Sequence, residues 1–223
     1  MGRAGRILAI AAVALGLATP AAACDRACLE GHVDAYLAAM LAKDAAALPL
    51  AEGARFAENG VALAPGRGSW ATVDGLGGYR HLYADPATGN VGAITTVTEH
   101  GAPAMLDLRL RIVDGRIAEL ETLFIRDPGG HARYEEMAVP EATWLEVVPP
   151  DQRLGREDMV RVVNRYFSSM VRNDGRGDYT FFHPDWDRLE HGLRTTNLPT
   201  REAYDHSQDT DFRSVDSRKQ GAK

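Results

Sequence analysis

Between Trp70 and His100 the chain gathers groups able to move protons: Tyr79, Arg80, His81, Tyr83, Asp85, Glu99 and His100. In an apolar enclosure a tyrosine or histidine can donate a proton to a developing oxyanion, while a carboxylate whose pKa is raised by burial removes one. Tyr79, His81 and Glu99 form the candidate catalytic set. Such chemistry requires no metal and no cofactor, and neither is expected. A second account makes the aromatics core and the charges rim, with His100 merely beside a turn. Residue types alone leave both open.

Further groups could line a pocket around that set. Tyr36 lies in the apolar stripe of a helix, so its hydroxyl needs a partner if buried. Glu58 and Asn59 fall where a helical layer gives way to a loop, and could grip a polar substrate group or simply bond neighbouring backbone. Trp70 and Tyr83 complete the candidate substrate-binding set. Other chemistries fail on their motifs. Gly75-Leu76-Gly77-Gly78 lacks the spacing of a dinucleotide loop, Gly66-Arg67-Gly68-Ser69 lacks the lysine of a phosphate loop, and no Gly-x-Ser-x-Gly occurs. The seven histidines are scattered without a metal-ligand pairing, which argues against structural zinc. A net charge of -6 argues against nucleic acid as a partner.

The first residues read as an export signal: Arg3 and Arg6, an apolar run over 7–18 too short to span a bilayer, then Pro20 and Ala21-Ala22-Ala23. Cleavage after Ala23 would leave Cys24 at the mature end. A periplasmic or secreted location follows, with no membrane attachment unless Cys24 is lipidated, for which Ala21 stands where a lipobox prefers leucine. The two cysteines, Cys24 and Cys28, are expected to form a local disulfide in an oxidising compartment.

The elements that must position these groups are uneven in clarity. Leu29, Val33, Tyr36, Leu37, Met40 and Leu41 recur at helical spacing over 29–43. A second helical segment, broken at Pro49, is expected over 45–56, and residues 69–83 are ambiguous. Over 91–126 a β-branched run, a turn at Gly101, an alternating run and a turn at Asp114-Gly115 predict a three-stranded antiparallel meander. A three-residue loop with a bulge at Gly115 pairs Arg111 with Glu119 and Arg109 with Glu121, and aligns Leu106, Leu108, Leu110 and Ile112 with Phe124, Thr122, Leu120 and Ala118. Those charged residues then have a structural account as ion pairs. In this register Thr96, Thr98 and His100 share the face of Leu106 and Leu108, and Glu99 points away unless a bulge near Gly101 turns the strand end.

Beyond Arg126 the pattern weakens, with Trp144, Leu145, Val147 and Val148 as a short candidate strand. A helix over 156–171 then presents Met159, Val162, Val163, Tyr166, Phe167 and Met170 as a stripe. Tyr36-Leu37-Ala38-Ala39-Met40 is echoed by Tyr166-Phe167-Ser168-Ser169-Met170, Asp44 by Asp174, and Glu58-Asn59-Gly60 by Glu190-His191-Gly192, which suggests an incomplete duplication. The expected organisation is a signal peptide over 1–23, an α+β domain over 24–127, a linker over 128–155, a partial second unit over 156–199 and a flexible tail over 200–223.

The string from Ala57 to Gly66, with Trp70, Thr98-Glu99-His100-Gly101 and Leu108-Arg109-Leu110, resembles a poorly characterised secreted branch of the nuclear transport factor 2-like, or SnoaL-like, superfamily. That resemblance implies a cone-shaped curved antiparallel sheet wrapped around helices and an apolar pocket. Enzymes on such scaffolds suggest a cofactor-independent lyase, isomerase or dehydratase acting on a small aromatic or polyketide-like molecule. Other members only bind or assemble, so an exported binding or assembly module is the alternative, and a homo-oligomer is compatible with either.

Overall fold

A cystine and a cap begin the first element. Cys24 and Cys28 are disulfide-bonded, as expected, and the Asp25 side chain accepts from the Cys28 N–H at 2.9 Å, fixing the start of helix α1 (Arg26–Ala42). Lys43 ends the helix in the left-handed region at φ 57°. Its ammonium reaches the carbonyls of Trp70, at 2.8 Å, and Val73, tying the helix end to the sheet. Of the predicted stripe Leu29, Val33, Tyr36, Leu37 and Met40 are buried, whereas Leu41 is exposed. Our computed structural model describes residues 24–127, 134, 137–171, 188–190 and 193–194. The leader, the tail, Asp174 and His191 lie outside them.

The second helix expected over 45–56 is instead one 3-10 turn, Ala45–Ala47, followed by strand β1 (Leu50–Glu58). An Asn59-Gly60 turn, both residues at positive φ, leads into β2 (Val61–Leu63). The ambiguous stretch resolves into a single helical turn, α2 (Ser69–Thr72), and a long strand β3 (Val73–Asp85). The meander follows as β4 (Asn90–Glu99), β5 (Ala102–Val113) and β6 (Arg116–Arg126). The strands form one curved sheet in the order β2-β1-β6-β5-β4-β3, antiparallel except where β1 runs parallel to β6. The α+β class expected from the sequence is the one observed.

The predicted ladder holds for Arg109 with Glu121, Arg111 with Glu119, and Leu106, Leu108 and Leu110 with Phe124, Thr122 and Leu120. Its turn differs. Asp114 and Gly115, at φ 49° and 72°, make a two-residue connection, and the extra residue is Ala118, so Ile112 faces Ile117. The parity of β4 also differs, because His100 and Gly101 form a two-residue turn at φ 52° and 76°. Thr95, not Thr96, therefore faces Leu106, and Glu99 sits opposite Ala102 on the helix side. Thr96 and Thr98 occupy the opposite face.

Val91, Ala93, Val97, Leu106, Leu108, Leu110, Ile117, Leu120 and Phe124 make the α1-facing core. Burying each large side chain there contributes roughly 1.5–3 kcal/mol before entropy is counted. Past the sheet, Tyr134 is buried and the expected strand at Trp144 is a helical turn, α3 (Ala142–Leu145). Helix α4 (Arg156–Val171) forms as predicted, but Met159, Val162, Val163 and Phe167 of its stripe are exposed. Arg156 pairs with Asp85 at 2.6 Å. A two-strand pair, β7 (Leu189–Glu190) and β8 (Leu193–Arg194), completes the description. Among the described residues no helix is long and apolar enough to cross a membrane.

Candidate functional site

Alternation along β3 divides its side chains between two faces of the sheet. Arg80 pairs with Asp34 of α1, so its neighbours Tyr79 and His81, and then Tyr83, turn to the face away from that helix. There they line a cavity of about 850 Å³. Its floor is completed by Ile94 of β4, Met105 and Asp107 of β5 and Ile125 of β6. Its roof comes from Met137, Ala138, Val139, Glu141 and Trp144, with Leu189 and Glu190 of β7 at one edge. The pocket thus lies on the face of the sheet opposite α1, not in the helix-filled concavity that the sequence resemblance implied.

The ring nitrogen Nδ1 of His81 is 2.7 Å from the Tyr83 hydroxyl, and the two ring centroids are 4.3 Å apart. The Trp144 indole lies parallel to the imidazole at 5.9 Å. Burial lowers the His81 pKa, which keeps the imidazole neutral at neutral pH. Burial, then the proximity of Tyr79 and Asp107, pushes the Tyr83 phenol up to about 12. A protonated phenol beside a neutral imidazole is consistent with Tyr83 donating to Nδ1, an assignment that leaves the ring proton on Nε2. Tyr79 is buried; burial and the Glu141 charge raise its pKa. Its main chain is pinned to β4, with Thr96 Oγ1 accepting from Tyr79 N at 3.1 Å and Thr95 Oγ1 donating to Tyr79 O at 2.9 Å.

Glu99 is not part of this cavity. Its carboxylate accepts from Arg126 Nη2 at 2.6 Å and from the Thr72 hydroxyl, on the α1 side of the sheet. The Arg126 hydrogen bond holds its pKa below the usual carboxylate value, the reverse of what a general base at neutral pH needs. Tyr36 and Trp70 meet edge to face at 5.0 Å within the core, and the Tyr36 pKa is raised by burial and by Glu58. The Trp70 Nε1 is buried without a hydrogen-bond partner among the described residues. Glu58 accepts from Ser69 N at 3.0 Å, and Asn59 exchanges two bonds with the Phe124 backbone at 2.8 and 3.0 Å. Of the predicted substrate-binding residues, only Tyr83 reaches the cavity with Tyr79 and His81.

Asp107, Glu141, Trp144 and Glu190 complete the site and were not singled out by sequence. Asp107 carried a usable signal. On the outer face of β5 it precedes Arg109 and Arg111, whose cross-strand partners are glutamates, whereas Asp107 stands opposite Leu123. The other three come from segments without periodic pattern. Cys24, Cys28 and His32 bring ligand-type atoms within 4.8 Å of one another. Both sulfurs are committed to the disulfide, and a disulfide sulfur is not a thiolate ligand.

No functionally curated protein matches the chain. Similar solved structures include an NTF-2 like protein of unknown function from Burkholderia xenovorans LB400, at 13% identity and TM-score 0.34, covering 55% of this chain and 97% of that one. A phenazine biosynthesis-related protein from Pseudomonas aeruginosa is similar at 13% identity and TM-score 0.34, with 61% and 97% covered. A candidate ketosteroid isomerase from Kribbella flavida stands at 15% identity and TM-score 0.35, with 58% and 96% covered. One family model matches residues 22–124 and 152–220, most of the sequence, and by that match the chain belongs to the family described as a domain of unknown function, DUF8021.

Proposed function

We propose that this protein binds a small molecule in the outer-face cavity and performs cofactor-independent acid–base chemistry on it, as a lyase, isomerase or dehydratase. The observation behind the reading is the meeting of His81, Tyr79 and Tyr83 with the carboxylates of Asp107 and Glu141 around one cavity. A carboxylate would take a proton from a carbon made acidic by a neighbouring carbonyl. His81 Nε2–H or the Tyr79 hydroxyl would stabilise the oxyanion that forms, and return of the proton elsewhere, or loss of a leaving group, completes the turnover. Export remains part of the proposal, supported by the Cys24–Cys28 bridge and the leader pattern. So does an incomplete second unit, supported by α4 and by the echo of residues 36–40 in residues 166–170.

Turnover of a panel of aromatic dimers and cyclic ketones tests the enzyme reading. His81→Gln and Tyr83→Phe are each expected to lower the rate by about two to four orders of magnitude while leaving the melting temperature within a few degrees. Unchanged rates in both variants would remove the pair from the mechanism. A second reading, an exported binding module, is favoured by the concavity beside α1, which Tyr36, Trp70, Met40 and Leu106 occupy with their own side chains. It predicts saturable binding lost in the same variants, with no turnover in the parent protein.

A further inference from the structure

An α-helix advances about 12 Å over eight residues. Cys24 and His32 stand that far apart in sequence, with Cys28 midway, yet the ligand-type atoms of all three lie within 4.8 Å of one another. Two features of the chain produce this convergence. Cys24 stands outside α1, beyond the Asp25 cap, and the bridge to Cys28 folds it back until the two Cα atoms are 5.3 Å apart. A helical side chain leans toward the N-terminus, so His32 covers the turn that carries Cys28. Among the described residues this is the one place where three groups of metal-ligating type meet.

The cystine keeps the set from holding a metal, and it is a bond well placed to open. It joins residues only four apart, so it restrains little of the unfolded chain. Cys28 is exposed, which leaves its sulfur open to attack by an outside thiolate. Helix α1 has other anchors: Asp25 caps its start, Lys43 reaches the carbonyls of Trp70 and Val73 at its end, and the buried stripe holds it to the sheet. Reduction by a dithiol transfers two electrons and two protons to the S–S bond, leaving thiols at Cys24 and Cys28 and a disulfide on the reductant. Two thiolates and an imidazole are then the donor set of a zinc site with its fourth position open. Tetrahedral bonds of about 2.3 Å to sulfur and about 2.0 Å to nitrogen set donor separations of roughly 3.5–3.8 Å, a spacing these side chains reach by rotamer adjustment alone. The negative charge of the thiolates falls at the positive end of the helix dipole.

We propose that Cys24, Cys28 and His32 form a redox-gated zinc site, shut while the cystine is intact and open once a dithiol has reduced it. Each sulfur gives up its proton to solvent as it bonds the ion, and His32 binds through the lone pair of a ring nitrogen. The ion takes over from the lost bridge as the clamp on the start of α1. None of the three residues lines the outer-face cavity, so the site is independent of the chemistry proposed there.

The full-length protein, reduced with a dithiol and freed of it under inert gas, is titrated with Zn²⁺ against a chromophoric chelator, and with Co²⁺ as a coloured stand-in. One zinc per chain is expected, and the cobalt form should show a thiolate-to-metal charge-transfer band. The oxidised protein should bind neither ion. His32→Ala should weaken zinc by at least the roughly tenfold that loss of even a supporting partner costs at a metal site, while its oxidised form melts within a few degrees of the parent. Zinc should also shield Cys28 from alkylation in the reduced parent, a readout that needs no variant. Equal zinc binding by oxidised and reduced protein, or a reduced-protein affinity indifferent to His32→Ala, overturns the proposal. So does a cystine that no dithiol opens in the folded protein, or a reduced protein that takes up no metal.

Discussion

Glu99 illustrates how little a titratable residue reveals about itself from its type. Its side chain is 11% exposed and clamped by Arg126, whose own side chain stacks over the Phe124 ring at 4.6 Å. Replacing Glu99 by Gln removes the charge from a nearly buried ion pair, at a cost of about 1–2 kcal/mol, with Arg126 half in solvent and partly rehydrated. We expect Glu99→Gln to lower the melting temperature by several degrees and to leave ligand binding and turnover intact. The loss should depend on pH. Because the folded-state pKa is depressed, the ion pair contributes fully above the ordinary carboxylate value and fades as pH falls through the lowered one. Parent and variant melting curves should therefore converge in acid, and a constant difference down to the lowest accessible pH would contradict the assignment.

Three cavity residues were legible in the sequence by type alone, in a stretch whose secondary structure the pattern leaves ambiguous and which the structure shows to be a strand. Tyr79, His81 and Tyr83 sit two residues apart, and that spacing places them together on any strand. Tyr36, Glu58, Asn59 and Trp70 are candidates by residue type only, because apolar and polar groups look alike in sequence whether they line a pocket or close a core. Glu141 had no periodic context, and the context of Trp144 read as a strand where the structure has a helical turn. Their position follows from tertiary packing that no local window contains.

Among the elements, the β4–β5–β6 meander was the most legible, since its turns and faces are local. Helix α1 was equally clear. β1 was not, because its pairing with β6 joins residues far apart in the chain, such as Arg55 with Glu119, and its own burial pattern is weak. β3 was obscured by glycine. Gly75 and Gly77, read from sequence only as a failed nucleotide loop, lie where the β3–β4 register shifts, and a side chain added at either would collide with Thr98 Oγ1 or Thr96 Oγ1. The strand approaches β4 this closely because those positions have no Cβ. Gly77→Ala should therefore destabilise the protein by about 1–3 kcal/mol in chemical denaturation. It should also disturb Tyr79, whose N–H bonds the same Thr96 hydroxyl at 3.1 Å, so binding in the cavity should weaken alongside stability. A variant that melts like the parent would mean the two strands can part without penalty.

For the whole molecule, the parallel pairing of β1 with β6 sets an order of assembly. Glu58 is matched with Thr122, and Arg55 with Glu119, so the first strand synthesised, though its end pairs at once with the short β2, has its second neighbour only when the last strand of the sheet is present. The β3–β4, β4–β5 and β5–β6 pairs, by contrast, close through short connections and need no such wait. A chain threading through an export channel N-terminus first would hold α1 and β1 unsatisfied on the far side until β6 had crossed. Pulse-labelled hydrogen exchange during refolding should accordingly find amides of β4 and β5 protected before those of β1. A chain ending near residue 113 should leave β1 exchanging freely and exposed to proteases, and simultaneous protection of all strands would contradict that order. Were the chain exported as proposed above, such a delay would make the N-terminal segment the part most dependent on a holding chaperone during translocation, even though its helix carries the buried stripe of the finished fold.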